Sequence, residues 1–463
     1  MGMAITMAWF SGCGGGGGGS GSAGTQQPAL SSPYPAAAAS CAVNDQRAWL
    51  RDYMNDQYFW SDRQGAALDT ASTMAQYFNS LLYPGVDRFS SSQPTEQFLE
   101  FFREGKRIGY GYSLAWADAA QTQLTFRLVE PLSPLGLAGL RRGEELISVD
   151  GFTAIQVVAG ALPVVTTAGV PRQFVVADAA GTQRTVVVNS AEYAVSPVLN
   201  ASVLTAPNGA KVGYLAYQEF LSTGAAAVGA AIDSFRAAGV SELVLDLRYN
   251  GGGSTLQARN MASLLGGAAL NGKVFAQYRY NAKNTGSNVT QTFTSSLAFL
   301  PTSPLSGLNR VFVITSGNTA SASEMVINGL RPYLPVILIG NTTFGKPFGS
   351  QPRDSCGTTY SAINIEISNA LGSADFINGL VPTCVMSDDL SRQWGDPAER
   401  RTAAALTYIA TGLCPSVAAA PLASANNATS PARAAMAGRE GGVGQRVNER
   451  GMGEISLPRA WLD

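Results

Sequence analysis

Three short stretches limit what this chain can fold into. Leu243-Val-Leu-Asp-Leu247, Arg310-Val-Phe-Val-Ile-Thr315 and Val336-Ile-Leu-Ile-Gly340 are nearly continuous apolar runs without polar alternation. A strand reads this way when both of its faces are covered, as in a parallel sheet wrapped by helices. The first run passes through Asn250-Gly-Gly-Gly253 into a helical pattern from about Ser254 to Leu265. The second passes through Ser316-Gly-Asn into a helix ending near Leu330. Strand, tight turn and helix in this order indicate βαβ units. An α/β core over residues 193–414 is therefore expected.

The texture before this core is different. Residues 41–104 carry helical spacings, with Trp49, Leu50, Tyr53 and Met54 in one segment and Met74, Tyr77, Phe78 and Leu81 in another. Residues 105–192 are short alternating strands, such as Leu124-Thr-Phe-Arg-Leu-Val129, separated by turns such as Glu130-Pro-Leu-Ser-Pro134 and Arg141-Arg142-Gly143. Residues 415–463 are rich in Ala, Ser, Asn, Gly and Arg without periodicity, the pattern of a disordered tail.

Several function classes are excluded by composition. The chain has no histidine, so it holds no Ser-His-Asp or Cys-His triad and no histidine-ligated zinc or haem. Proton transfer near neutral pH falls to Asp, Glu, Lys, Tyr, Cys or water. Lysine is scarce, at Lys106, Lys211, Lys273, Lys283 and Lys346. None of the five has serine three residues before it, which rules out a Ser-x-x-Lys arrangement. The net charge of −1 gives no cationic surface for nucleic acid. No metal or cofactor is expected.

The N-terminus reads MGMAITMAWFSGC and runs into six glycines. This resembles a bacterial lipoprotein signal over residues 1–13, with Cys13 as the lipidated residue and residues 14–40 as a flexible linker. It implies a protein of the cell envelope that meets the membrane only through a lipid anchor. Phe10 stands where that signal usually has Leu, and no basic residue precedes the apolar run. The remaining Cys41, Cys356, Cys384 and Cys414 form an even set. In an oxidising compartment they would make two disulfides, with three connectivities open.

Ser321-Ala-Ser-Glu324 opens the helix after the second apolar strand, and Thr343-Phe-Gly-Lys346 follows the third. Loops after adjacent parallel strands lie at one sheet edge, so the two can meet there. A serine at a helix start has unpaired backbone N–H groups beside it that can stabilise developing negative charge. A lysine between Phe344 and Phe348 has apolar neighbours that favour its neutral form. The same Ser321 and Glu324 also read as a capping box.

The pairing of these segments resembles the C-terminal processing peptidases, or tail-specific proteases. That family's pattern is Ser-Ala-Ser-Glu at a helix start and a lysine 25 residues after the nucleophile, the separation of Ser321 and Lys346. Asp246-Leu-Arg-Tyr-Asn-Gly-Gly-Gly253 matches its Asp-Leu-Arg-x-Asn-Pro-Gly-Gly, with Gly251 in place of Pro. Ser133 to Gly151 resembles the second half of a bacterial PDZ domain, and Asp87-Arg-Phe-Ser90 the segment ahead of it.

The resemblance implies a crotonase/Clp-protease-like α/β peptidase core, a PDZ-like module at 105–192 and an N-terminal helical segment. It implies a serine endopeptidase acting on proteins or peptides near apolar C-termini. Ser321 would be the nucleophile and Lys346 the general base. The N–H groups of Ala322 and Gly252 would form the oxyanion hole. The family often has Gln four residues after the lysine. Here Ser350 holds that place and Gln351, one further on, is the candidate third member. Gly109-Tyr110-Gly111-Tyr112 would be the carboxylate-binding loop of the PDZ-like module. The alternatives are a non-catalytic peptide- or ligand-binding protein and an acyl-CoA hydratase-type enzyme on the same core.

Overall fold

The computed structural model describes residues 36–416, apart from 119, 296, 298–301 and 306. Cys13 and residues 417–463 lie outside the described residues. The three apolar runs become the parallel strands Glu242–Asp246, Val311–Thr315 and Val336–Gly340, paired in that order. Lys211–Tyr217 joins parallel beside the first, and Val198–Thr205 closes that side antiparallel. Cys384–Val385 adds a short parallel strand at the other side.

The lack of alternation has a direct cause. Val244, Phe312, Ile314 and Ile339 pack on one face against Ala404, Ala405 and Ile409 of the helix Arg400–Thr411. The alternate residues Leu243, Leu245, Val313 and Leu338 are equally buried. Apart from the partly buried first residues Glu242 and Val336, every position of the three strands is thus interior, and each fully buried Leu or Val contributes about 1.5–3 kcal/mol.

A second, antiparallel sheet runs Val289–Thr292, Val274–Arg279, Ile363–Ser368, Phe348–Ser350. The N-terminal segment has helices Val43–Gln57, Met74–Leu81 and Thr95–Phe102. The apolar faces of the first two pack with Phe348, Tyr360 and Ile363 of the core, and Phe98, Phe101 and Phe102 of the third pack with Tyr193, Val195 and Leu221. The segment also holds a strand, Ser91–Pro94, paired antiparallel with Thr358–Ser361.

Two disulfides are present. Cys41–Cys356 ties the start of the N-terminal segment to the turn between Arg353–Ser355 and Thr358–Ser361. Cys384–Cys414 ties the short sixth strand to the end of the last helix.

The β-rich stretch folds around its own core of Tyr110, Tyr112, Leu114, Phe126, Val149 and Phe174. Its sheet runs Tyr112–Trp116, Leu124–Val129, Glu145–Val149, Pro171–Ala177, Gln183–Asn189. Its tight turn drives Arg142 into the α/β region. There the buried guanidinium donates to Asp388 Oδ1 at 3.0 Å, to the Tyr249 hydroxyl at 3.0 Å and to the Arg392 carbonyl at 3.1 Å. Arg248, 1% exposed, bonds Asp246, Asp388 and Glu399 alongside it. Buried charges survive only when paired in this way.

Candidate active site

The loops that follow the three parallel strands meet at one edge of the sheet. The Thr319 hydroxyl donates to the Leu247 carbonyl at 2.7 Å, and Ala320 N–H donates to the Asn250 carbonyl at 3.1 Å. The Ser323 hydroxyl donates to the same carbonyl at 3.0 Å. On the other side, Phe344 N–H donates to the Thr319 carbonyl at 2.9 Å. The glycine turn, the serine turn and the lysine loop are therefore stitched side by side.

Ser321 sits at the head of the helix Ala322–Leu330 with φ +53° and ψ −115°. A non-glycine residue at positive φ is strained by about 1–3 kcal/mol and persists only where its surroundings hold it. A serine forced into a sharp strand-to-helix turn has its hydroxyl presented at the sheet edge, as in nucleophile elbows. Ser321 and Lys346 are each 5% exposed and line one small pocket. Its walls include Met325, Phe275, Ile367 and Phe376.

Glu324 holds these parts together. It is fully buried, and its Oε2 accepts from Ser321 N–H at 2.9 Å and Lys346 N–H at 2.8 Å. Its Oε1 accepts from Gly345 N–H at 2.7 Å and from the Thr343 hydroxyl. Burial pushes its carboxyl above the usual range, against the pull of these donors. In sequence Glu324 reads as a helix cap. Its bonds to residues 343–346 are tertiary, and the signal that points to them is the unusual burial of an acid on an otherwise apolar helix face.

Three expected site residues do not line the pocket. Gly252 N–H donates to Asn250 Oδ1 at 2.7 Å, so in this state it is turned into its own turn. Ala322 N–H is the first of the helix, where no intrahelical acceptor exists. The Gln351 amide donates to the Tyr280 hydroxyl at 3.0 Å. Phe348–Ser350 is a strand, and the buried Ser350 stands four residues after Lys346 in place of the glutamine. Gln351 is thereby engaged elsewhere.

The sequence from Gly109 to Tyr112 links two strands of the β-rich module. Tyr110 and Tyr112 are buried, the Tyr110 hydroxyl donates to the Val170 carbonyl at 2.9 Å, and Glu130 N–H donates to the Gly111 carbonyl at 2.8 Å. Tyr112 opens the outermost strand of its sheet, Tyr112–Trp116, which pairs with Leu124–Val129. Among the described residues no group of His, Cys, Asp and Glu is arranged to hold a metal ion.

The model of peptidase family S41 matches residues 211–375, and that of the peptidase S41 N-terminal domain matches residues 45–91. The chain carries peptidase family S41 domains over these residues. The longer matched stretch contains the serine turn, the lysine loop and the glycine turn. A carboxyl-terminal-processing protease of Picosynechococcus is 25% identical over 309 residues, covering 65% of this chain and 70% of that protein. The carboxy-terminal processing protease CtpA of Bacillus subtilis is 33% identical over 135 residues, 29% of this chain and 26% of that protein. A crystal structure from Bacteroides fragilis assigned to the S41 proteases superposes with a TM-score of 0.64 at 26% identity. It covers 79% of this chain and 97% of that one. With these domains the protein is a serine-type hydrolase with protein or peptide substrates.

Proposed function

We propose that this S41 peptidase is a Ser-Lys endopeptidase of the cell envelope that processes proteins near apolar C-termini. The observation that carries the assignment of roles is the pocket shared by strained Ser321 and buried Lys346. A lysine serves as base only when neutral, and removal from water disfavours its ammonium form. The Lys346 amine takes the Ser321 proton as Oγ attacks the scissile carbonyl. The carbonyl π electrons move onto oxygen, which Ala322 N–H receives at the helix start. Gly252 N–H joins it once the peptide plane turns away from Asn250 Oδ1. The C–N bond then breaks, and the Lys346 ammonium gives its proton to the leaving amine. Water repeats the sequence on the acyl-enzyme. Each oxyanion donor typically contributes about 2.7–4 kcal/mol to the transition state. The apolar walls beside Ser321 favour an apolar side chain at the cleaved bond.

The β-rich module takes the role of a PDZ domain that recruits or gates substrate. An outermost strand beginning at Tyr112 offers backbone for an added peptide strand. Arg142 of the module bonds Tyr249, the residue next to Asn250 in the glycine turn. Lipidation at Cys13 would place the enzyme on a membrane surface. No helix among the described residues is long and apolar enough to cross one.

The test is proteolysis of an unfolded protein and of a peptide with an apolar C-terminus, by the native protein, Ser321→Ala and Lys346→Ala. With equal folding verified by circular dichroism, both variants should lose activity by several orders of magnitude. Cleavage retained in Ser321→Ala refutes the nucleophile. Peptide binding without cleavage by any form favours the binding-protein alternative.

A further inference from the structure

The sequence Asp87-Arg88-Phe89-Ser90 takes no part in the mechanism above, yet it is built with care. Asp87 Oδ1 accepts from the N–H groups of Phe89 and Ser90, each at 2.9 Å. Asp87 Oδ2 accepts from the Tyr58 hydroxyl at 2.7 Å and the Ser90 hydroxyl at 2.6 Å. Ser90 Oγ in turn accepts Ile363 N–H of the peptidase core at 2.9 Å. This turn fixes the direction in which Arg88 leaves the N-terminal segment.

Arg88 Nη2 donates to the carbonyls of Phe344 at 3.0 Å, Gly345 at 3.2 Å and Ile377 at 2.9 Å. Its guanidinium lies 4.5 Å from the ring centre of Phe89 and 5.1 Å from that of Phe344. The carbonyls of Phe344 and Gly345 belong to the two peptide planes just before Lys346. The opposite ends of the same two planes are the N–H groups of Gly345 and Lys346, both received by Glu324. Each plane is therefore held at both ends, by a cation outside and a carboxylate inside. Gly345, at φ +85°, is the residue most able to let those planes rotate.

We infer that Arg88 is a positioning residue for the general base, supplied by the N-terminal segment. It acts by fixing the peptide planes that aim Lys346 at Ser321. This inference rests on the reading of Lys346 as base.

The experiment measures steady-state cleavage of one peptide by the native protein, Arg88→Ala, Arg88→Lys, Arg47→Ala and Lys346→Ala. Arg47 is the matched control, because it donates to the Asp69 and Ala71 carbonyls within the N-terminal segment and does not reach the lysine loop. Arg88→Ala should lower kcat by at least about tenfold with KM nearly unchanged, the loss expected when charge-assisted hydrogen bonds to a reacting loop are removed. Arg88→Lys should recover part of it. Millimolar guanidinium added to folded Arg88→Ala should restore turnover. Arg47→Ala should lose thermal stability without losing kcat.

A native kcat in Arg88→Ala beside an inactive Lys346→Ala overturns the inference and leaves the base intact. So does a fall in kcat in Arg88→Ala that Arg47→Ala matches at an equal loss of melting temperature. Activity retained in Lys346→Ala overturns the base assignment itself.

Discussion

Replacing Glu324 by glutamine keeps its shape and removes one of its two acceptor atoms. Each Glu324 oxygen receives two donors, Ser321 and Lys346 N–H on one and Gly345 N–H and Thr343 on the other. An amide nitrogen in either place would point its own hydrogens at two donors. Glu324→Gln should therefore behave as a disruptive change despite its equal volume. A buried donor left without an acceptor costs about 1–3 kcal/mol. We expect roughly 3 kcal/mol less unfolding free energy in urea and a fall of about a hundredfold in kcat/KM. The chain offers Glu324 as a helix cap because three-residue spacing is local. Its second set of partners is 19 to 22 residues away and becomes visible only when the lysine loop has folded over the helix.

The lysine loop is an element without regular structure, and its conformation depends on close backbone approaches. A Cβ at Gly345 would meet the Ile377 carbonyl oxygen at 2.3 Å and Gly379 N at 2.5 Å, at a φ of +85°. Gly345→Ala should thus push the loop off the 376–380 segment. The protein should stay folded by far-ultraviolet circular dichroism while peptide cleavage drops by two orders of magnitude or more. The three parallel strands were legible because burial on both faces writes a continuous apolar run. The strand Ser91–Pro94 was not, because Ser-Ser-Gln-Pro carries no hydrophobic alternation and pairs with Thr358–Ser361 more than 260 residues on. Ser321 and Lys346 stand out as candidates through the family resemblance of the motifs around them, because by spacing alone the serine reads as a helix cap. The direction of Gly252 N–H could not, because one peptide plane can turn without any change in residue pattern. Likewise Arg141 and Arg142 look alike in sequence, and only packing selects Arg142 for the interior.

Across the whole molecule, buried ion pairs join regions that are distant in the chain. Asp246 and Arg248 come from the parallel sheet, Arg142 from the β-rich module, and Asp388 and Glu399 from the C-terminal segment. Burial alone pushes the Glu399 carboxyl up, but the Arg248 guanidinium beside it and Thr402 N–H outweigh this and hold it down at about 2. Asp388 is likewise driven up by burial and held well below the usual range by Arg401, Arg248 and Arg142. A depressed carboxylate stabilises the fold above its ordinary value near 4.5, and that contribution disappears as the pH falls towards 2. Near-ultraviolet circular dichroism should therefore be lost on titration from about pH 4.5 to about pH 2. For Glu399 alone the shift corresponds to about 3 kcal/mol at neutral pH. Glu399→Gln should be less stable at pH 7 and lose less on acidification. The bond between Cys41 and Cys356 has a consequence of another kind. It closes a covalent ring that contains the β-rich module, Ser321 and Lys346. A cut anywhere inside that ring, by a neighbouring copy or by the enzyme itself, opens the chain without dividing the particle. Ser321 and Lys346 stay on one molecule until a reductant reaches that bond.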